Sequence, residues 1–339
     1  MTSLRGEEPK DSLRVWYMTT GEAGTHGQAR GLARELSANA EERLIRVNRL
    51  WSLAPPALFS LSLFGVSLVG GRLEPPWPDV LISCGRRSAL AAMAVRRRSG
   101  IPMVTVHIQP PTDPAAFDAV VVMAHDELAG SNVIHIDTAL HGIRASALAE
   151  AAAMSDPRFA GLPHPWTGVL LGGSTRNTPL TLADARRLAE HLDALRADSG
   201  GSLLITPSRR TPAAVVDLLS ARYAGDPTVF LWAGTPPNPY LSILALADQL
   251  VVTSDSISMI SEALATKAPV WIFQVAGGPR HASFLRNLLA KGLVASLGGA
   301  APPERRCGVD STPHIAAVLR ELVDAKIGRT TARPDPREP

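Results

Sequence analysis

Cysteine is nearly absent: Cys84 and Cys307 are the two in 339 residues, far apart and without metal-type spacing. That scarcity excludes a disulfide framework and fits free thiols in a reducing cytoplasm. Aromatic residues make up 5% of the chain, and no arginine–aromatic alternation offers a platform for stacking bases. The formal net charge is only +3 despite a pI near 9.1, too small an excess to argue for nucleic acid as a partner. Several motifs are also missing: GxGxxG, a Gly-Lys-Ser/Thr phosphate loop, a Gly-x-Ser-x-Gly elbow and a Tyr-x-x-x-Lys pair. Their absence argues in turn against an NAD fingerprint, a P-loop, an α/β-hydrolase and a nucleotide-sugar epimerase. His125, Asp126 and Glu127 lack a partner at zinc spacing, so no metal is expected.

Residues 1–12 are polar and charged, so no secretory signal is expected there and the segment reads as flexible. One stretch lacks charge altogether, residues 53–69, opening at Leu53 and closing at Val69. With Pro55 and Pro56 near its start, it falls short of the ~20 residues that span a bilayer. The default reading is a buried helix. The alternative is peripheral contact with the inner face of a membrane.

What is present is an alternation of apolar strands with helices. Strands are expected at 13–18, 43–47, 79–83, 103–108, 119–123 and 133–136, with a loop over 19–27 and helices at 28–37 and 85–99. After a proline-punctuated linker the rhythm restarts with strands at 168–171, 202–206, 228–232, 250–253 and 270–273. Helices fill the gaps between them, and a last helix over 313–326 packs back across the domains. Apolar strands in this rhythm imply parallel sheets covered on both faces. The expected architecture is α/β: two doubly wound, Rossmann-like domains facing across a cleft. The expected ranges are 13–150, a linker at 151–166, 167–329, and a disordered tail at 330–339.

The richest segment joins the strand at 250–253 to a helix through Thr253, Ser254, Asp255 and Ser256. Ser256 is the expected N-cap, Ile257, Ile260 and Leu264 recur at helical spacing, and Ser258, Met259 and Glu262 ride on that helix. Hydroxyls, a carboxylate and free N–H groups at a strand's carboxyl end make a ligand site, and the helix N-terminus favours phosphate. Glu262 is placed to accept hydrogen bonds from sugar hydroxyls. A well-capped helix with a surface glutamate is the plainer reading.

Other strand ends converge on the same cleft. Gly172-Gly173-Ser174-Thr175 supplies a tight turn and donors for phosphate or base. Ser208-Arg209-Arg210 precedes Thr211, read as an N-cap with Pro212 at the first helical position. Two cations ahead of a helix N-terminus suit a bound anion better than an empty one. Residues 232–240 form a proline-rigid wall, and residues 274–281 a glycine-bearing lid. In the first domain, His26 is the expected general base, with Glu22 second. Gly21, Gly24, Gln28, Arg86, His107 and Gln109 lie at strand ends on the acceptor side.

The chain resembles the "elongated mitochondria" fission-protein family and its bacterial relatives. The resemblance rests on Gly21, Gly24 and Gln28; Gly85-Arg86; His107-Ile108-Gln109-Pro110; and Phe117-Asp118-Ala119-Val120-Val121. It continues through Gly172-Gly173, Ser208-Arg209-Arg210-Thr211-Pro212, Pro237-Asn238-Pro239, Ala247-Asp248 and residues 251–262. Thr20 departs from the acidic residue expected before Gly21. The resemblance implies the GT-B fold of glycosyltransferases, with no metal and no permanently bound cofactor. The second domain would hold a nucleotide-sugar donor, UDP-linked, with Glu262 on the ribose and Ser256, Ser258 and Arg209 around the diphosphate. The first domain would hold the acceptor, and the uncharged stretch 53–69 suggests a lipid or polysaccharide near the membrane. The other implied role is a non-catalytic scaffold that recruits a protein partner.

Overall fold

The computed structural model describes residues 13–47, 66–69, 73–174, 179–299 and 307–328. The expectations for residues 1–12, for 53–65 of the apolar stretch, for Thr175 and for 330–339 fall outside the described residues. The chain divides into two compact units: residues up to Gly142 together with those from Ser311 onward, and Ile143–Asp310.

Among the described residues the first unit carries seven strands: β1 Val15–Thr19, β2 Glu41–Val47, β3 Val66–Leu68, β4 Val80–Cys84, β5 Val104–Ile108, β6 Ala119–Met123 and β7 Val133–Ile136. Their order is β3-β2-β1-β4-β5-β6-β7. Every pairing is parallel except β2 with β3, where Ile45 faces Leu68. Runs such as Val15-Trp16-Tyr17-Met18 are buried throughout, as central strands covered on both faces require. The described end of the apolar stretch is therefore an edge strand and not a helix.

Helix α1 spans Ala23–Leu36 and α2 spans Arg86–Ser99. The sequence reading places 19–27 in a loop and the helix at 28–37; the structure starts the helix five residues earlier, through Gly24 and Gly27, at a cost in propensity. Packing overrides that cost: Ala29, Leu32, Ala33 and Leu36 are all buried on its inner face. Gly31 is obligatory there, since a Cβ at that position would lie 2.4 Å from the His141 carbonyl.

The second unit carries β8 Trp166–Leu171, β9 Ser202–Pro207, β10 Val229–Leu231, β11 Gln249–Thr253, β12 Val270–Phe273 and β13 Ala295–Ser296. All pairings are parallel, in the order β10-β9-β8-β11-β12-β13. Its helices are α3 Ala145–Met154, α4 Leu182–Ser199, α5 Ala213–Arg222, α6 Tyr240–Leu246, α7 Ile257–Leu264 and α8 Pro279–Ala290. Thr181 and Asp184 start α4 with a reciprocal capping box. One core cluster sets Val169, Leu171, Leu188, Leu192, Ile205 and Phe273 between sheet and helices. Strand order reverses between β8 and β11, so their carboxyl ends open a crevice of the kind that holds ligands.

The extents of the units differ from the ranges drawn from the sequence. Helix α3 belongs to the second unit, and the final helix, α9 Ser311–Lys326, belongs to the first. Helix α9 is bound there by specific bonds: Arg320 Nη2 donates to the Glu35 carbonyl at 2.6 Å, and Lys326 Nζ to Asp118 Oδ1 at 2.6 Å. The His141 amide donates to Thr312 Oγ1 at 3.1 Å. The sequence reading expects this last helix to pack back across the domains, and these bonds fix it to the first unit.

Candidate functional site

Three loops at the crevice of the second unit interlock. The Gly172 amide donates to Thr253 Oγ1 at 2.8 Å, and the Gly173 amide to Asp255 Oδ2 at 2.6 Å. A Cβ on Gly172 would fall 2.1 Å from Asp255 Oδ2, and one on Gly173 would fall 2.3 Å from Arg210 Cβ. The glycines are there for close approach between protein groups, and their N–H groups are already engaged. That corrects the expectation of a Gly172–Gly173 cradle open to phosphate.

The Ser208 hydroxyl donates to the Gly172 carbonyl at 2.8 Å, and Thr211 Oγ1 bonds the same oxygen. Thr211 is thereby turned away from α5, which starts after Pro212 with no side-chain cap, against expectation. Ser174 is structural in the same way: its amide donates to the Arg210 carbonyl at 3.2 Å, and its Oγ accepts from the Leu180 amide at 3.0 Å. Asp255 is buried at 3% exposure, and burial pushes its carboxyl above the usual range against the pull of its hydrogen bonds and of Arg210. Its Oδ1 has no hydrogen-bond partner among the described residues.

Beside this knot lies a cavity of about 700 Å³. Pro207, Ala213, Val216, Trp232 and Met259 give it apolar walls, while Ser208, Arg209, Asp217, Asn238, Tyr240 and Glu262 bring polar groups. Such a mixture, mostly apolar with a few convergent polar groups, suits a small organic ligand. Ser256 caps α7 as expected, its Oγ accepting from the Met259 amide at 3.3 Å. The cap sets the helix so that Met259 and Glu262 face the cavity. Across it, Asn238 Oδ1 accepts from the Tyr240 amide at 2.9 Å, where α6 begins. The Tyr240 hydroxyl donates to Glu262 Oε2. Burial raises the Glu262 carboxyl above its ordinary range, and the tyrosine bond draws it partly back. Tyr240 is held far above its own ordinary value by burial and by the neighbouring carboxylate.

Of the residues singled out in the sequence, Ser208, Arg209, Met259 and Glu262 line the cavity. Gly172, Gly173, Ser174, Arg210, Thr253, Asp255, Ser256 and Ser258 lie outside that lining. Trp232 and Tyr240 were read only as part of a rigid wall, and Asp217 was missed. No local pattern announces a bond between residues 240 and 262.

In the first unit, His26 belongs to the first turn of α1 and not to a loop. Its Nδ1 is 3.3 Å from Glu42 Oε1, and its ring stands edge-on to Tyr17 at 5.9 Å. Glu22 immediately precedes α1 and accepts from Thr20 Oγ1. Gln28 Nε2 donates to the Gly24 carbonyl at 3.3 Å. Gly21 has φ +91°, a turn that favours glycine, and Gln109 adopts φ +85° at the end of β5. Arg86 is exposed at the start of α2. His107 is fully buried, its Nδ1 2.8 Å from Ser83 Oγ and its ring 5.1 Å from Phe117. Burial lowers it to about 3, so it is a neutral core histidine and not part of an exposed acceptor surface. Among the described residues no group of His, Cys, Asp and Glu could hold a metal, and no helix is long and apolar enough to cross a membrane.

Comparison with known proteins follows the same outline. The family described as Mitochondrial fission ELM1 matches residues 23–323. Mitochondrial fission protein ELM1 of Arabidopsis thaliana is 32% identical over 263 residues, covering 69% of this chain and 60% of that protein. The match thus spans less than two thirds of the plant relative. An uncharacterized protein of Rickettsia prowazekii is 24% identical over 302 residues, covering 77% of this chain and 83% of its own. Among solved structures, a putative UDP-N-acetylglucosamine 2-epimerase from Listeria monocytogenes aligns with TM-score 0.50 and 12% identity, over 95% of this chain and 98% of that one. At that identity the likeness shows the fold alone, a GT-B-like chain of two Rossmann-like units.

Proposed function

The chain belongs to the mitochondrial fission ELM1 family, and from that premise we propose that it is a metal-independent glycosyltransferase using a nucleotide-sugar donor. The observation that carries the reading is the cavity of the second unit, where Glu262 and Arg209 meet apolar walls. A nucleoside fits such walls, Glu262 accepts from its sugar hydroxyls, and Arg209 neutralises the diphosphate. UDP is the nucleotide proposed for the donor. The first unit takes the acceptor, a lipid or polysaccharide hydroxyl. His26 is its proposed base, with Glu42 Oε1 3.3 Å from its Nδ1. As the acceptor oxygen bonds to the sugar carbon, the bond to the diphosphate breaks, and the leaving charge is stabilised electrostatically.

A second reading has its own support. The Gly172 and Gly173 amides, which would otherwise greet a phosphate, are taken by Thr253 and Asp255. That suits a scaffold that keeps the fold and recruits a protein partner without transferring sugar. Thermal shift of the purified protein against UDP, GDP, ADP, CMP and their sugar conjugates separates the two. Ligand at ~100 times its dissociation constant adds about 2.7 kcal/mol, several degrees for a domain of this size. A rise with one nucleotide, lost in Glu262→Ala, supports the transferase. A folded protein indifferent to all of them leaves the scaffold.

A further inference from the structure

A carboxylate half-buried beside a ligand cavity faces a chemical problem. Desolvation favours the protonated acid, and a protonated acid is a poor acceptor for sugar hydroxyls. The structure answers with one contact: the Tyr240 hydroxyl, from the first turn of α6, donates to Glu262 Oε2 on α7. Both residues line the same cavity, and the bond engages one carboxylate oxygen, leaving Oε1 for a ligand. Tyr240 is itself fixed, because its amide is held by Asn238 Oδ1. We propose that Tyr240 is the positioning residue of the nucleotide site, pinning Glu262 by one oxygen so that the other is presented as an acceptor to the ribose hydroxyls. The inference rests on the nucleotide reading above and adds to it the source of ribose recognition.

Two consequences separate this role from mere packing. With the hydroxyl gone, Glu262 is less restrained, and discrimination between ribose and deoxyribose weakens. The ionised carboxylate also loses its donor, so Glu262 takes up a proton at higher pH than before. Arg209 and Asp217, the other charged groups lining the cavity, are left in place as a common background.

The experiment is calorimetric titration of the full chain with UDP, GDP and ADP, each against its 2′-deoxy form, from pH 5 to 8. Wild type, Tyr240→Phe and Glu262→Gln are compared. For the nucleotide that binds, wild type is expected to prefer the ribose form by about tenfold, as loss of one hydrogen bond to a charged group implies. Tyr240→Phe should lose most of that preference and move the acid midpoint of binding upward by about one pH unit. Glu262→Gln should lose the ribose preference and the part of the pH dependence that Tyr240→Phe displaces, leaving the titration of the nucleotide's own terminal phosphate. If Tyr240→Phe keeps both the preference and the midpoint of wild type, the positioning role is overturned while the nucleotide site stands. If wild type binds no nucleotide, the site reading falls and this inference falls with it.

Discussion

Asp255 holds a carboxylate oxygen 2.6 Å from the Gly173 amide, joining the loops that follow two neighbouring strands, β11 and β8. A carboxylate in that place does for the loop what a bound anion does elsewhere, satisfying an N–H at the end of a strand. The glycine pair is thus written into the protein's own packing.

The first prediction follows from the space around those glycines. A methyl group on Gly173 would sit 2.3 Å from Arg210 Cβ and 2.4 Å from the Arg210 carbonyl carbon. The backbone there cannot swing aside as a long side chain can. Gly173→Ala should destabilise the second unit by about 1–3 kcal/mol, the usual cost of overpacking. Gly24→Ala, where nothing lies within 4 Å, should cost nothing and favour α1. Urea unfolding of both variants checks the contrast.

Asp255 itself gives a pH prediction. Burial raises its carboxyl above the ordinary range, so between the unfolded and the raised value the native state holds a proton that the unfolded chain has released. Its contribution to stability is therefore present at acid pH and is lost as pH rises from the unfolded value through the raised one. Asp255→Asn keeps an oxygen for the Gly173 amide and removes the charge. At pH 7 the variant should be as stable as wild type or more so, and it should lack this part of the acid pH dependence. Melting temperatures between pH 4 and 8 decide it.

His107 predicts the opposite slope. Burial lowers it to about 3, against about 6.5 when unfolded, so below pH 6.5 the unfolded chain binds a proton that the native state refuses. Stability is full above that value and falls with pH by at most about 1.4 kcal/mol per unit until the folded value is reached. In His107→Leu, Ser83 Oγ still has the Val106 carbonyl at 3.2 Å as acceptor. The variant should lose less stability than wild type between pH 7 and pH 5, read from denaturant midpoints.

The sequence shows its periodic features well and its long-range bonds poorly. Apolar runs such as Val120-Val121-Val122 mark buried parallel strands, and the Ser256 cap is readable because it lies one residue from the helix it starts. Early glycines hid the first turn of α1, because intrinsic propensity says nothing of Leu32 and Leu36 packing on the sheet. At the site, Glu262 was legible from its helix phase. Tyr240 was not, since the bond between them depends on two helices meeting from separate crossovers. Thr211 misled for a related reason: a hydroxyl before a proline looks like a cap, but the Gly172 carbonyl claims it from 39 residues away.

The last prediction concerns α9, whose final turn is tied to the first unit by Lys326 and Asp118. Burial opposes ionisation of that carboxyl, but Lys326 and two bonds from Thr105 outweigh it and hold it below the ordinary range. Arg96 adds a second cation at 3.6 Å. Lys326→Met keeps the apolar stem and removes only the charge at the end of α9. Because Arg96 and Thr105 still satisfy Asp118, global stability should fall by no more than about 1 kcal/mol. The terminal turn of α9 should nevertheless open more readily, seen as faster amide exchange near residue 326 than near Ile315, which is buried. Asp118→Asn should cost more, since it removes the shared anion from Arg96 and Lys326 together. Equal exchange along α9 in wild type and Lys326→Met would show that Arg320 and the buried face of the helix hold it without the ion pair.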